Sequence, residues 1–254
     1  MGFYEEIAPY YEYIFPAGEE QLKLISDIAG EPPKRILDIA CGTGGYSVRL
    51  AQAGHEVMGM DADPEMIRLA RLKAAANNVS VRFFAGDMLE LDKDIDSAES
   101  KFHCIFCIGN SIVHLGSKDA IKTAVLKMKE QLAPGGSIVL QIINFDRIIE
   151  KGITSLPTLT NEEKGLVFQR NYTRDEDTGL IYFDTVLAVE EKTGPVRLSN
   201  RVELFPLTSG MLMDVLTDTG LDTFGFYGDF ARGEYIPGDS FMLVAVIKSR
   251  QTSS

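Results

Sequence analysis

From about residue 35 to residue 145 short apolar runs alternate with helical stretches, and each run stops at small or polar residues. No other feature limits the fold so strongly. Strands that alternate with helices return to the same sheet through right-handed crossovers, which gives a parallel sheet covered on both faces. Arg35 to Ala40 (RILDIA) reads as a buried strand feeding Cys41-Gly42-Thr43-Gly44-Gly45, with a helix from Tyr46 to Ala53. A second strand begins at Val57 and ends at Asp61. Asp63-Pro64-Glu65 then opens a helix expected to reach Ala76: an Asp cap, proline at the first helical position, an acid in the first turn. Val79 to Ala85, Phe102 to Ile108 and Ser137 to Ile143 read as the third, fourth and fifth strands. Before the fifth, Ile121, Val125, Met128 and Leu132 recur with a helical period, and Ala133-Pro134-Gly135-Gly136 ends that helix.

After residue 150 the pattern changes. Gly165 to Thr173, Leu180 to Val189 and Val196 to Phe205 read as consecutive strands, separated by turns at Asp177-Thr178-Gly179 and Thr193-Gly194-Pro195. Ser209 to Thr219 is helical and closed by Gly220, and strands follow at Asp222 to Tyr227 and Phe241 to Lys248. The expected organisation is an N-terminal helical cover (1–30), an α/β core (31–150), an antiparallel β insertion on the substrate side (151–207) and a return to the core (208–250), with RQTSS as a frayed tail.

A chain of 254 residues can bury a core without disulfide or metal staples. Its net charge of −12 disfavours nucleic acid, which is held by clustered Lys and Arg. No apolar run is long enough for a membrane span, and the acidic, aromatic N-terminus is unlike a signal peptide. Three cysteines, an odd number, argue against a disulfide framework and for a reducing cytoplasm. A small molecule is the expected partner.

In an open α/β sheet, ligands bind outside the carboxyl ends of the strands. Asp38 precedes Gly42 and Gly44 at the first of these ends. The turn is no dinucleotide fingerprint, because position 47 is serine and no phosphate-gripping lysine follows. An acid there would repel a pyrophosphate but attracts an ammonium or sulfonium. Asp61 ends the second strand 19 residues after Gly42, the spacing of a ribose-binding acid. Asp87 ends the third strand, where it could accept from an adenine amino group while Met88 lines the ring. Plainer alternatives stay open: a generic strand–helix turn for the glycines, a helix cap for Asp61 and a turn residue for Asp87.

The segments ILDIACGTGGYSVRLA, VMGMDADPEMI, AGDMLEL and LAPGGSIVL, in this order, resemble the motifs of class I S-adenosylmethionine-dependent methyltransferases. The resemblance implies a doubly wound, seven-stranded, mostly parallel Rossmann-like sheet whose last strand is antiparallel. It implies S-adenosyl-L-methionine as cofactor and S-adenosyl-L-homocysteine as product. The methionyl part would lie over Asp38, Ala40, Gly42, Thr43 and Gly44, the ribose on Asp61 beside Ala62, and the adenine by Met66, Gly86, Asp87 and Met88, with Ile108 and Gly109 completing the site. Of the N-terminal aromatics Tyr4, Tyr10, Tyr11 and Tyr13, analogy makes Tyr11 the cofactor contact; packing against the core is the alternative.

For the acceptor, CIGNSIVHL and QIINFDRIIEKG resemble the glycine/sarcosine and sugar-amine N-methyltransferases. That likeness puts Asn110 and His114 beside the reacting centre, with His114 as base or orienter, and Asn144 at the substrate pocket. Arg147, Arg170, Tyr172 and Arg201 flank or lie in the insertion. Arg170 and Tyr172 are the substrate-binding candidates among them, and surface charge is the alternative for the arginines. His103-Cys104-Ile105-Phe106-Cys107 has metal-like spacing without a second ligand pair, and strand geometry puts Cys104 and Cys107 on opposite faces, so the segment reads as core; no metal is expected, because only Asp146 among the carboxylates stands near a relevant strand end. The expected activity is methyl transfer to a small molecule, first of all at an amine nitrogen. O- or C-methylation is the nearest alternative, a non-catalytic cofactor-binding sensor the alternative of another class, and a homodimer is allowed. Ser47 and Asp38 disfavour a nicotinamide-dependent dehydrogenase.

Overall fold

The computed structural model describes residues 7–95, 101–191 and 194–249. Tyr4, Thr193 and the RQTSS tail lie outside the described residues. Five strands, β1 (Arg35–Ile39), β2 (Glu56–Asp61), β3 (Arg82–Ala85), β4 (Phe102–Cys107) and β5 (Leu132–Ile143), pair in parallel in the order β3-β2-β1-β4-β5. Strands β6 (Ser155–Asn161), β7 (Leu166–Arg174), β8 (Ile181–Glu191) and β9 (Gly194–Leu204) form a separate antiparallel sheet. Strands β10 (Thr223–Tyr227) and β11 (Met242–Lys248) extend the large sheet beside β5, with β11 antiparallel to both neighbours. The large sheet therefore has seven strands, in the order β10-β11-β5-β4-β1-β2-β3.

Helices cover both faces, so the central strands are apolar in both directions. Leu37, Ile39, Ile105 and Cys107 pack into one core cluster, while Ile36, Cys104 and Phe106 pack into another across the sheet. This separation places the two thiols on opposite faces. His103 Nδ1 accepts from the Arg35 amide at 3.2 Å. The Pro64–Ala76 helix begins as its sequence dictates, with Asp63 accepting from the Glu65 amide at 2.8 Å. Among the described residues no helix is long and apolar enough to cross a membrane.

Some boundaries differ from those expected. Strand β3 starts at Arg82, because Val79 is folded back: its amide donates to Ala74 O at 3.1 Å, and its side chain packs on the cluster of Ile67, Ala70 and Ala74. Strand β5 starts at Leu132, so the Pro-Gly-Gly stretch that ends the helix lies inside the strand as an irregularity: Leu132 pairs with Phe102 and Ser137 with Cys104, and Gly135 between them has φ 75°. Strand β6 was not foreseen. It is an edge strand, contains Pro157, and its pairing shifts between Leu156 and Leu159, features that interrupt the alternation expected of a strand.

From β1 the chain winds outward to β2 and β3, and from β4 it winds the opposite way. The crevice beyond the carboxyl ends of β1 and β4 is thus the topological switch point. The small sheet caps this end. Its Leu166, Phe168, Leu187 and Val189 bury against Ile7 and Ile14, while Tyr172, Ile181 and Leu204 join the main core. The Phe205 amide, just past β9, donates to Val113 O at 2.9 Å.

Candidate active site

The turn after β1 is built from left-handed backbone: Ala40, Gly42 and Gly44 have φ of 58°, 54° and 75°. Ala40 is a non-glycine residue in that region, a strain that clusters at functional sites. A Cβ on Gly44 would lie 2.8 Å from the Phe83 ring and 3.0 Å from Ala70, so the helix can approach the sheet only with glycine there. A Cβ on Gly42 would meet the Tyr11 hydroxyl at 3.1 Å, which shows how closely Tyr11 lies over the turn.

Asp38 is 2% exposed and accepts from Ser47 Oγ at 2.6 Å. Burial raises its pKa to about 7, opposed by the Ser47 hydrogen bond and assisted by the Asp61 charge. Asp61 joins two strand ends: its Oδ2 accepts from the Gly42 amide at 2.8 Å and its Oδ1 from Asp63 at 3.0 Å. Burial raises its pKa as well. The Gly86 amide donates to Asp61 O at 3.0 Å, and Asp87, exposed at the rim, accepts from Leu89 at 2.9 Å. Ala62 is exposed and Met88 half-buried on the same rim. Met66 differs from expectation. It points into the packing of its helix and is 1% exposed, so it presents no wall to a ligand.

Across the crevice, Ile108 is buried, and Gly109 (φ 78°) donates to Gln141 Oε1 at 2.7 Å. Asn110, at φ 68°, uses its Oδ1 to accept from Ile143 at 3.1 Å. His114 lies in the following 3₁₀ segment, Ser111–Leu115. It is open to solvent, and partial desolvation by the neighbouring chain lowers its pKa.

Asn144 is corrected outright. Its Nδ2 donates to Pro237 O at 2.6 Å and Ser240 O at 2.8 Å, and its Oδ1 accepts from Arg147 at 3.2 Å and Tyr235 Oη at 2.8 Å. An asparagine amide has two donor hydrogens and two acceptor lone pairs, so none is left for a substrate. Tyr172 is 5% exposed, stacks on Phe183 at 5.2 Å, and lines a cavity of about 250 Å³ with Ile148, Ile153 and Ile181. Arg170 is half-buried, with Nη2 on Pro157 O at 2.7 Å. Arg201 pairs with Asp184 at 2.6 Å, and Arg147 stacks over Phe241 at 4.4 Å.

Sequence reasoning missed other residues. Ser47, noticed only as an absent glycine, holds Asp38. Glu12 accepts from both Thr43 Oγ1 and Lys73 Nζ, tying the N-terminal segment to the turn. Gln141 supports Gly109 from within a strand. Their signals were too plain to detect: single polar residues inside apolar runs.

These residues suit a cationic nucleoside better than a dinucleotide. A buried acid stands where a pyrophosphate would be repelled, a second acid stands at ribose spacing, and the turn is close enough for backbone contact. Residues 36–136 match the family model described as Methyltransferase domain. The chain is 27% identical over 199 residues to a glycine/sarcosine N-methyltransferase of Parasynechococcus marenigrum (strain WH8102), covering 78% of this chain and 67% of that one. It is 31% identical over 180 residues to the glycine N-methyltransferase of Mus musculus, covering 67% of this chain and 57% of that one. This chain is a class I S-adenosylmethionine-dependent methyltransferase. The fold agrees: an S-adenosylmethionine-dependent methyltransferase from Clostridium acetobutylicum ATCC 824 superposes with a TM-score of 0.79 at 15% identity, over 98% of this chain and 100% of that one. The methyltransferase spans little more than half the length of the mouse relative.

Proposed function

We propose that this methyltransferase acts on an amine nitrogen of a small molecule, with the cofactor over the Asp38–Gly44 turn and the acceptor between that turn and His114. The observation that carries the reading is His114 itself, exposed to solvent yet partly desolvated on the segment that follows β4. The N-methyltransferase names of its relatives support the choice of nitrogen.

Bound at the turn, S-adenosylmethionine supplies an electrophilic methyl group. The chain's part is to bind and orient. Asp38 and Ser47 set a negative charge beneath the ammonium, Asp61 offers its remaining lone pairs to the ribose hydroxyls, and Asp87 with Met88 stands at the adenine end. Tyr11, held over Gly42, keeps water from the turn. Positioning of this kind supplies about 7–11 kcal/mol of a transfer barrier. An amine attacks only through a free lone pair. The lowered pKa of His114 keeps its imidazole neutral at pH 7, able to take the amine proton or orient the nitrogen.

The first test is titration calorimetry with S-adenosylhomocysteine, set beside NADH. Micromolar binding of the first alone, followed by methylation of a member of a small-amine panel, is the expected result. A folded sample that binds neither would remove the cofactor site. A sample that binds the first and methylates only hydroxyls or carbon acids would move the reading to O- or C-transfer.

A further inference from the structure

Four buried side-chain polar atoms lack a hydrogen-bond partner among the described residues, and three of them stand in a line: Arg170 Nε, Thr185 Oγ1 and Asn200 Nδ2. Arg170 on β7 is directly opposite Thr185 on β8, which is directly opposite Asn200 on β9. The cross-strand rows on either side are apolar, Phe168–Leu187–Leu198 and Tyr172–Phe183–Val202. The first row packs on Tyr10, Tyr11 and Ile14, and Tyr11 lies over Gly42. The second joins the core that holds Ile112 and Val113, the neighbours of His114. The polar row therefore runs between the cover of the cofactor turn and the segment that carries His114.

Its chemistry is weighted towards donors. Guanidinium Nε and amide Nδ2 only donate, and the Thr185 hydroxyl between them can donate as well as accept. Thr185 is 1% exposed, yet its hydroxyl has no hydrogen-bond partner among the described residues. Arg170 makes no salt bridge among the described residues; its hydrogen bond is with the Pro157 carbonyl. Buried polar groups are nearly always satisfied, so a row of groups able to donate that the described residues leave bare calls for an outside acceptor. Arg beside short donors suits the planar or tetrahedral oxygens of an anion.

We propose that Arg170, Thr185 and Asn200 form the specificity subsite of this methyltransferase and hold an oxyanion group, carboxylate or phosphate, carried by the amine acceptor. The proposal rests on the amine reading above and adds the residues that select among amines.

The protein loaded with S-adenosylhomocysteine is titrated with acetate and, separately, inorganic phosphate, and its Tm is followed. One anion is expected to raise Tm saturably, and its identity tells carboxylate from phosphate. Arg170→Met should abolish the shift. Thr185→Val should weaken the anion's apparent affinity about tenfold while raising Tm without anion, because a bare buried hydroxyl is gone. No saturable shift by either anion, or a shift that survives both substitutions, overturns the proposal. The paired readout is methylation of sarcosine against N-methylethylamine and of phosphoethanolamine against ethanolamine. Preference for one anionic member should fall about thirtyfold in Arg170→Met, through KM rather than kcat. Neutral amines turned over as well as anionic ones would sink the subsite and leave amine methylation standing. Anion binding through the row, with no amine methylated, would do the reverse.

Discussion

Asp38→Asn tests the electrostatic logic of the cofactor turn. In the folded chain the Asp38 pKa is raised to about 7, chiefly by burial, against about 3.9 for an unfolded aspartate. The sign follows directly. A carboxyl whose folded pKa is raised is at no disadvantage below the unfolded value, where it is protonated in both states. Its ionisation then opposes folding increasingly from about pH 4 to pH 7, on the order of 4 kcal/mol when complete. A ligand ammonium favours the ionised form, so binding lowers the pKa and releases a proton near neutrality. If only the ionised form binds, the affinity for S-adenosylhomocysteine should rise about tenfold between pH 6 and pH 8, then flatten. Asp61 is also raised and repels Asp38, so the apparent midpoint belongs to the pair. Calorimetry at pH 6, 7 and 8, in two buffers of different ionisation enthalpy, gives both affinity and protons released. Asp38→Asn should bind more weakly, with a flat profile and no proton release, and should be more stable than the parent at pH 8. A parental affinity that changes less than about twofold over this range, or a slope that persists in Asp38→Asn, would refute the role of Asp38 as the ionisable partner.

Asp61→Ala should weaken S-adenosylhomocysteine binding about 10- to 100-fold by calorimetry while the circular dichroism spectrum is retained, since the proposed ribose acceptor, which also holds the Gly42 and Asp63 amides, is lost. Gly44→Ala should lower stability by about 1–3 kcal/mol in urea titrations, because its Cβ would lie 2.8 Å from Phe83 at a φ of 75°. Asn144→Ala should cost a similar amount, about 2–3 kcal/mol, yet leave KM for the acceptor unchanged, as its amide bonds run only to protein. His114→Asn should lower kcat/KM about 10²–10⁴-fold and remove the acid limb of the pH–rate profile, whose parental midpoint lies below 6.5 because burial lowers the His114 pKa.

What could be read in the sequence was what is local. The α/β alternation, the Gly42–Gly44 turn, Asp61 and the Asp63 cap are each settled by neighbours a few residues away, and their places in the structure follow from that. Tertiary context decided the rest. Asn144 ends a strand like Asp61 does, but its amide serves Pro237 and Ser240, more than 90 positions along the chain. Met66 lies on the helix that follows Asp61, and the rotation of that helix turns it inward. Edge strand β6 carries a proline and a pairing shift, so nothing in its residues resembles the alternation of a strand within a sheet.

The acceptor side shows most clearly why function can escape a linear reading. Arg170, Thr185 and Asn200 share no motif, and each is an ordinary residue in a sequence of alternating polarity. They meet because two hairpins set the register of β7, β8 and β9, and a slip of one residue would send all three to the opposite face. That opposite face shows what such a slip would mean: Asp184 and Arg201, one position from Thr185 and Asn200, satisfy each other at 2.6 Å on the exposed side. The pair that faces water is closed, while the row on the buried face is open among the described residues. Self-satisfaction is what surface polarity needs, and an unfilled set of donors is what a binding face needs, so the register that hides the row from the sequence also gives it something to do.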